Sequence, residues 1–140
     1  MKKWIFPGAA VIILLIVGII IYSRIAEAEE NDGGDKVAEV NYITMAEAKE
    51  IFASEGDYVI VDVRRADEFA SGHIPGAIHV ANESIISTPP AELPDKDQVI
   101  YVYCRSGRRS KDAASKLAAM GYTHIIECGG ILDWTGDIVQ

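Results

Sequence analysis

Short apolar runs alternate with amphipathic stretches along the chain from about residue 42 to the end. Runs rich in β-branched and aromatic residues are typical of strands that are buried on both faces of a sheet. They predict five strands, at residues 42–43, 58–63, 77–80, 98–103 and 124–127. The stretches between them have apolar residues at helical spacing and predict helices at residues 45–52, 66–71 and 110–120, with a closing helical turn at residues 131–134.

The ends of these elements carry start and stop signals. Thr44 and Glu47 have the spacing of a capping box before the first helix, and Gly72 and Gly121 follow the second and third helices. Strands that alternate with helices indicate a mainly parallel sheet with helices on both faces. In such sheets ligands bind at the carboxyl ends of the strands, where polar residues follow the second and fourth predicted strands.

A separate apolar segment, residues 4–22, precedes this pattern and contains no charged residue. As a helix it would be about 28 Å long, close to the thickness of the hydrocarbon core of a bilayer. Lys2 and Lys3 precede the segment and Arg24 alone follows it, which predicts a cytoplasmic N-terminus. We therefore predict a transmembrane anchor at residues 1–25, with the rest of the chain outside the cytoplasm.

Cleavage of this segment remains open. The apolar run is longer than that of a signal peptide, about 7–15 residues, which favours an uncleaved anchor. Ala26 and Ala28 have the small-x-small form of a cleavage site, which favours export followed by cleavage near Ala28. Residues 26–41 are acidic with few large apolar side chains and predict a flexible tether. The folded domain is therefore expected at residues 42–140.

One cationic cluster is unexpected in a chain whose formal net charge is −8. It comprises Arg105, Arg108, Arg109 and Lys111, which closely follow Cys104 and the fourth predicted strand. These charges favour thiolate over thiol at the cysteine and attract an anionic substrate.

The loop that holds this cluster is short and leads into a helix. Gly107 can adopt backbone angles that other residues rarely adopt. A tight loop before a helix N-terminus points successive N–H groups into one concavity, which binds anions. The sequence therefore predicts an anion-binding nest with Cys104 at its base. The alternative is that Cys104 is only a small core residue at the end of an apolar strand.

Three motifs resemble those of the rhodanese family: DVRRADEFASGHIPGAIHV at residues 62–80, CRSGRRS at residues 104–110 and GYTHIIECGGILDW at residues 121–134. The chain is similar to small, single-domain, exported rhodaneses of the phage-shock type. The resemblance implies a rhodanese-like α/β fold, with a central five-stranded parallel sheet and helices on both faces. It also implies a thiosulfate sulfurtransferase, in which Cys104 takes sulfane sulfur from a donor such as thiosulfate, becomes a persulfide and passes the sulfur to a thiophilic acceptor.

The resemblance and the loop chemistry together give the expected site. Cys104 is the expected catalytic residue, and neither a metal nor an organic cofactor is expected. Ser106 is expected to donate its hydroxyl to the sulfur, and Arg108 to contribute less than the other arginines. The expected substrate-binding residues are Arg105, Ser106, Gly107, Arg108 and Arg109.

Residues of the first motif are expected to support the site rather than react. Asp62 and Arg64 match the DVR element of the family, and we expect an ion pair between them that braces the active-site loop. His73, in the same motif, is expected to make a hydrogen bond or cap a helix. Cys128 is expected to fill the end of the fifth strand. The alternative for Cys128 is a second thiol near the pocket that resolves a persulfide or forms a regulatory disulfide with Cys104.

Two other functions remain open. Cysteine phosphatases and arsenate reductases on similar folds have a C-x5-R loop, whereas Cys104 and Arg109 are spaced as C-x4-R. The second alternative is a catalytically silent binding module at the membrane, although silent versions usually lack the cysteine. The expected partners are a small anionic sulfur donor, a thiol or protein-thiol acceptor and, through the N-terminal helix, the membrane. We expect no nucleic-acid partner and a monomer.

Overall fold

The computed structural model describes residues 38–140. Its strands and helices are, in chain order, β1 (Glu39–Tyr42), α1 (Met45–Phe52), β2 (Tyr58–Asp62), α2 (Ala66–Ser71), β3 (Ile78–His79), β4 (Val99–Cys104), α3 (Arg108–Ala119) and β5 (His124–Gly130). Short 3-10 turns follow β3 and β5, at Asn82–Ser84 and Ile131–Asp133. The anchor predicted at residues 1–25 lies outside the described residues. Within residues 38–140, no helix combines the length and the apolar character needed to cross a bilayer.

The strands form one parallel sheet in the order β1-β5-β4-β2-β3. The predicted five-stranded parallel sheet is therefore confirmed. β4 lies at the centre between β5 and β2, so the carboxyl ends of these three strands meet at one edge of the sheet. The polar residues that follow β2 and β4 consequently lie near each other, as expected for the carboxyl ends of neighbouring parallel strands.

Both faces of the sheet are covered, because side chains of β4 alternate between two apolar layers. Ile100 and Val102 belong to the layer that contains the buried residues of α3. Tyr101 and Tyr103 belong to the layer that contains the buried residues of α1. Successive residues of a strand point to opposite faces, so a helix covers each face of the sheet. Each fully buried aliphatic side chain stabilises the fold by about 1.5–3 kcal/mol relative to exposure.

The first helix begins at the predicted capping box. The Glu47 N–H donates to Thr44 Oγ1 at 3.2 Å, and the Thr44 N–H donates to Glu47 Oε2 at 2.7 Å. This reciprocal pair of hydrogen bonds fixes the point at which the chain turns into α1. The prediction of this cap is therefore confirmed.

Three boundaries differ from the prediction by two residues or more. β1 begins at Glu39, so the last residues of the predicted tether belong to the sheet, because edge pairing with β5 uses backbone groups and tolerates polar side chains. α3 begins at Arg108 rather than at residue 110, since Gly107 completes the turn of the loop. β5 continues to Gly130 instead of ending at residue 127, and its register with β4 shifts by one residue near that end.

Candidate active site

The loop between β4 and α3 wraps around the side chain of Cys104. β4 ends at Cys104, and Gly107 takes a positive φ of 102° before α3 begins. This left-handed conformation favours glycine and turns the chain so that the N–H groups of the loop face inward. A Cβ at Gly107 would also lie 3.6 Å from Gly129 Cα, so β5 closes the loop from the other side.

The Cys104 sulfur is surrounded by hydrogen-bond donors. The Gly107 N–H donates to Sγ at 3.0 Å, and the Ser110 hydroxyl lies 3.4 Å from it. The residue is only 1% exposed. This burial raises the pKa of the Cys104 thiol, but hydrogen bonds from the Ser110 hydroxyl and from backbone N–H groups outweigh it and leave the pKa below its ordinary value. The site therefore favours the thiolate more than an ordinary cysteine environment does, although the sulfur is buried.

A cationic cavity of about 690 Å³ opens outside this loop. Four arginines and two glutamates line it with Ser106, so positive charge prevails: Arg65, Arg105, Arg108, Arg109, Glu68 and Glu83. Among the described residues, the side chains of Arg105 and Arg108 form no ion pair and remain available to an anion. Such a cavity concentrates small anions next to the cysteine loop.

Arg109 is held by Glu68, a residue of α2 that is far away in sequence. Its guanidinium donates to both carboxylate oxygens of Glu68, at 2.6 and 2.9 Å. Hydrogen bonding to Arg109 holds the pKa of Glu68 at about 2, and the same bond raises the pKa of Arg109. The two-point contact fixes the first turn of α3 against α2. A C-x5-R phosphate loop would have its arginine at residue 110, which is a serine here, and Arg109, one residue earlier, is engaged by Glu68.

Asp62 and Arg64 form the ion pair that the sequence predicts. Arg64 Nη2 lies 2.7 Å from Asp62 Oδ2 and also donates to the Gly72 carbonyl at 2.6 Å. The Tyr103 hydroxyl donates to the same carboxylate at 2.7 Å, and burial raises the pKa of Tyr103. Because Tyr103 directly precedes Cys104, this buried network fixes the end of β4. Its contacts reach the strand that carries the loop, not the loop itself.

The end of β5 supports the loop from beside and below. Gly130 pairs with Cys104, and the Leu132 N–H donates to the Arg105 carbonyl at 3.2 Å. A Cβ at Gly130 would lie 2.2 Å from that carbonyl oxygen, so only glycine fits at this approach. The register shift in β5 therefore brings a backbone without side chain against the cysteine loop.

Two residues close to the sulfur were not predicted. The hydroxyl near Sγ belongs to Ser110, whereas in the described part of the chain Ser106 reaches Cys104 through its backbone N–H and not through a side-chain hydrogen bond. Beneath Ser110 lies the carboxylate of Glu127, which is 3% exposed and accepts hydrogen bonds from the Ser110 hydroxyl and the Gly129 N–H. The sequence signal for Glu127 is one acidic residue inside the otherwise apolar β5.

The remaining predicted residues lie away from the sulfur. Cys128 is buried in the layer that contains α1, on the face of the sheet opposite to Cys104. Burial and the neighbouring Glu127 raise its pKa to about 12. His73 makes a hydrogen bond between Nδ1 and the Phe69 carbonyl at 3.0 Å, as expected for a structural residue.

Comparison with known families gives one extended match. The profile of the rhodanese-like domain matches residues 44–137, which include every element from α1 onward.

Proteins with sulfurtransferase names are among the relatives. The thiosulfate sulfurtransferase PspE of Escherichia coli K12 is 36% identical over 73 residues, which cover 52% of this chain and 70% of that protein. A sulfurtransferase of Allochromatium vinosum is 35% identical over 96 residues, or 68% of this chain and 88% of that protein. The solved structure of a rhodanese with anions from E. coli has a TM-score of 0.54 and 32% identity, and the match covers 59% of this chain and 98% of that one.

Proposed function

The chain belongs to the rhodanese family, and we propose that it moves sulfane sulfur from a small anionic donor such as thiosulfate to a thiol acceptor through a persulfide on Cys104. Sulfur transfer at the level of the family follows from the relatives that are named sulfurtransferases. The observation that supports the individual step is the pair of donors aimed at Cys104 Sγ, the Gly107 N–H at 3.0 Å and the Ser110 hydroxyl at 3.4 Å.

The first half-reaction loads the cysteine. The Cys104 thiolate attacks the outer sulfur of thiosulfate, the S–S bond of the donor breaks, and sulfite leaves with the bonding electron pair. Sulfite and the persulfide both carry negative charge. The inward N–H groups of the loop stabilise the charge at the sulfur, while Arg105 and Arg108 at the cavity stabilise the departing anion.

The second half-reaction transfers the sulfur from the Cys104 persulfide to the acceptor. An acceptor thiolate, or cyanide in an assay, attacks the terminal sulfur of the persulfide, and the bond to Cys104 breaks to restore the thiolate. No external oxidant or reductant is needed, because the sulfane sulfur keeps its oxidation level. Arg109 acts in this scheme by fixing α3 through Glu68.

Paired assays test the proposal. We expect the full chain to convert thiosulfate and cyanide to sulfite and thiocyanate, and Cys104→Ala to lose this activity. A chromogenic phosphate ester should not be hydrolysed, because the loop is short and Arg109 is paired with Glu68. Phosphate ester hydrolysis without sulfur transfer would contradict the proposal and support the phosphatase alternative.

One observation favours a second candidate function, a silent binding module. Cys104 is only 1% exposed, so a sulfur donor such as thiosulfate reaches its Sγ only if the loop moves slightly. Iodoacetamide labelling at about pH 6, followed by mass analysis of the Cys104 peptide, separates the two functions. Fast labelling supports the enzyme, whereas slow labelling typical of an ordinary buried thiol supports the silent module.

We propose that residues 1–25 anchor the chain in a membrane and hold the domain outside the cytoplasm. The charge-free apolar segment at residues 4–22 supports this location. Alkaline extraction of membranes should leave the full chain in the pellet, and protease added outside the cell should cleave the domain. Recovery of the chain in the soluble cytoplasmic fraction would contradict the location, and release of a shortened chain would indicate cleavage near Ala28.

A further inference from the structure

The cationic cavity outside the cysteine loop contains a carboxylate that contacts two of its arginines. Glu68 Oε2 lies 2.6 Å from Arg109 Nη1 and 3.6 Å from Arg65 Nε. The same oxygen accepts a hydrogen bond from the Arg65 N–H at 3.1 Å. Arg105 and Arg108 line the cavity without a carboxylate partner among residues 38–140. A negative charge at this place therefore affects which anions the cavity holds and how tightly it holds them.

The contact engages the part of Arg109 that is best suited to bind an oxyanion. Nη1 and Nη2 donate to the two carboxylate oxygens of Glu68, at 2.6 and 2.9 Å. Two parallel N–H donors form the fork with which arginine binds carboxylates and phosphates. The same fork could hold two oxygens of sulfate, sulfite or thiosulfate. Glu68 therefore takes the place on Arg109 that an anionic substrate would otherwise take.

This ion pair is permanent at neutral pH but open to solvent. Hydrogen bonding to Arg109 holds the pKa of Glu68 at about 2, so the carboxylate stays ionised. The side chains of Arg109 and Glu68 are 23% and 17% exposed and both line the cavity. The pKa of Arg109 is raised mainly by hydrogen bonding to Glu68 and also by the charge of Cys104, so the guanidinium lies within electrostatic reach of the sulfur. An anion that enters the cavity consequently meets Arg109 already occupied.

We propose that Glu68 competes with anionic substrates for Arg109 and thereby sets the affinity of the cavity for oxyanions. The proposal deepens the proposed function and rests on it, since it concerns how the same site binds its donor and releases its product. Thiosulfate then binds through Arg105 and Arg108. Sulfite leaves readily, because the fork of Arg109 does not hold it. With Arg109 free, the cavity would retain sulfite and other oxyanions next to Cys104.

A purely structural role of Glu68 makes the opposite prediction. If Glu68 only fixes α3 against α2, its loss loosens the first turn of α3 and weakens anion binding. If Glu68 competes for Arg109, its loss strengthens anion binding. The sign of the change in oxyanion affinity therefore separates the two roles.

The test is calorimetric titration of the full chain with inorganic sulfate at constant ionic strength. Glu68→Gln keeps the size of the side chain but removes the charge that neutralises Arg109. We expect this variant to bind sulfate about 10-fold more tightly than the native chain. This factor is the lower end of the range for one hydrogen bond to a charged group, because the cavity is open to water. Unchanged or weaker binding would overturn the proposal.

Two further variants show whether the effect passes through Arg109. Glu83→Gln removes the same charge from the same cavity, but Glu83 makes no ion pair with Arg109 in the described part of the chain. It should tighten sulfate binding by less than about 3-fold, since screened charges interact weakly. Glu68→Gln combined with Arg109→Ala has the net charge of the native chain and should return to within about 3-fold of native affinity. Equal effects of Glu68→Gln and Glu83→Gln, or a double variant that keeps the 10-fold gain, would overturn the proposal.

Turnover measurements extend the test to the reaction. Glu68→Gln should lower both the KM for thiosulfate and the inhibition constant of sulfite, while kcat does not rise. Sulfate carries no sulfane sulfur, so the binding result does not depend on sulfur transfer. A chain that binds sulfate as expected but transfers no sulfur would contradict the proposed function alone. A chain that transfers sulfur but shows no gain in sulfate affinity in Glu68→Gln would contradict only the role of Glu68.

Discussion

Gly130→Ala tests whether the placement of the 105–107 loop makes Cys104 reactive. Gly130 has an extended backbone, with φ −129° and ψ 148°, which alanine adopts without strain. The added Cβ, however, would lie 2.2 Å from the Arg105 carbonyl oxygen and 2.5 Å from Ser106 Cα. Both are backbone atoms, so the clash is relieved only if the loop or the end of β5 moves by about 1 Å.

The expected losses of stability and of sulfur-transfer activity follow from this displacement. Inserting a methyl group into a packed interior costs about 1–3 kcal/mol, and a clash with backbone places the cost near the upper end, at about 3 kcal/mol. A shift of about 1 Å also lengthens the 3.0 Å contact between the Gly107 N–H and Cys104 Sγ beyond hydrogen-bond range. Loss of a hydrogen bond to a charged group, about 1.5–3 kcal/mol, lowers sulfur transfer by about 10–100-fold.

The assay combines urea unfolding with thiosulfate:cyanide turnover on the full chain. Gly76→Ala is the matched control, since Gly76 has φ +81° and no atom within 4 Å of an added Cβ. It should lose about 1 kcal/mol of stability from backbone strain and keep its activity. If Gly130→Ala retains native turnover and loses no more stability than the control, the loop does not act as described here.

Three more substitutions have defined outcomes. Glu68→Gln should lower the free energy of unfolding above about pH 4.5 by about 1 kcal/mol, after allowance for solvent screening. The native chain loses this contribution as pH falls through about 2, the pKa that Arg109 imposes on Glu68. Equal pH dependence of urea unfolding in both chains would count against the pair. Arg64→Ala leaves the buried Asp62 charge without its partner and should cost about 3–5 kcal/mol, so an unchanged urea midpoint would refute that role. Cys128→Ser should keep full turnover and the same sensitivity to oxidants, because the thiol lies on the opposite face of the sheet and its pKa is raised to about 12; a marked loss of either would restore the second-thiol hypothesis.

Local signals in the sequence were sufficient for most of the fold. The β-branched runs that become β2 and β4 are apolar because both of their faces are covered, and periodicity reveals this directly. The capping box at Thr44 is likewise encoded within four residues. The start of β1 was not predicted, because an edge strand is held by backbone pairing and its exposed side chains resemble those of a tether.

Contacts between distant residues could not be read in the same way. Arg109 and its partner Glu68 are 41 residues apart, and no local pattern links them. The hydroxyl near the sulfur was expected at Ser106 and is supplied by Ser110, because the turn at Gly107 directs the first turn of α3 toward the sulfur. Glu127 was visible only as an acid in an apolar strand, and its place beneath the loop depends on the register shift of β5.

The central claim is that Cys104 carries sulfur, and intact-mass analysis of the full chain after incubation with thiosulfate tests it most directly. The account predicts a gain of one sulfur atom that disappears when cyanide is added, is absent in Cys104→Ala and persists in Cys128→Ser. A folded native chain that gains no mass, or a Cys104→Ala variant that still gains it, would contradict the claim.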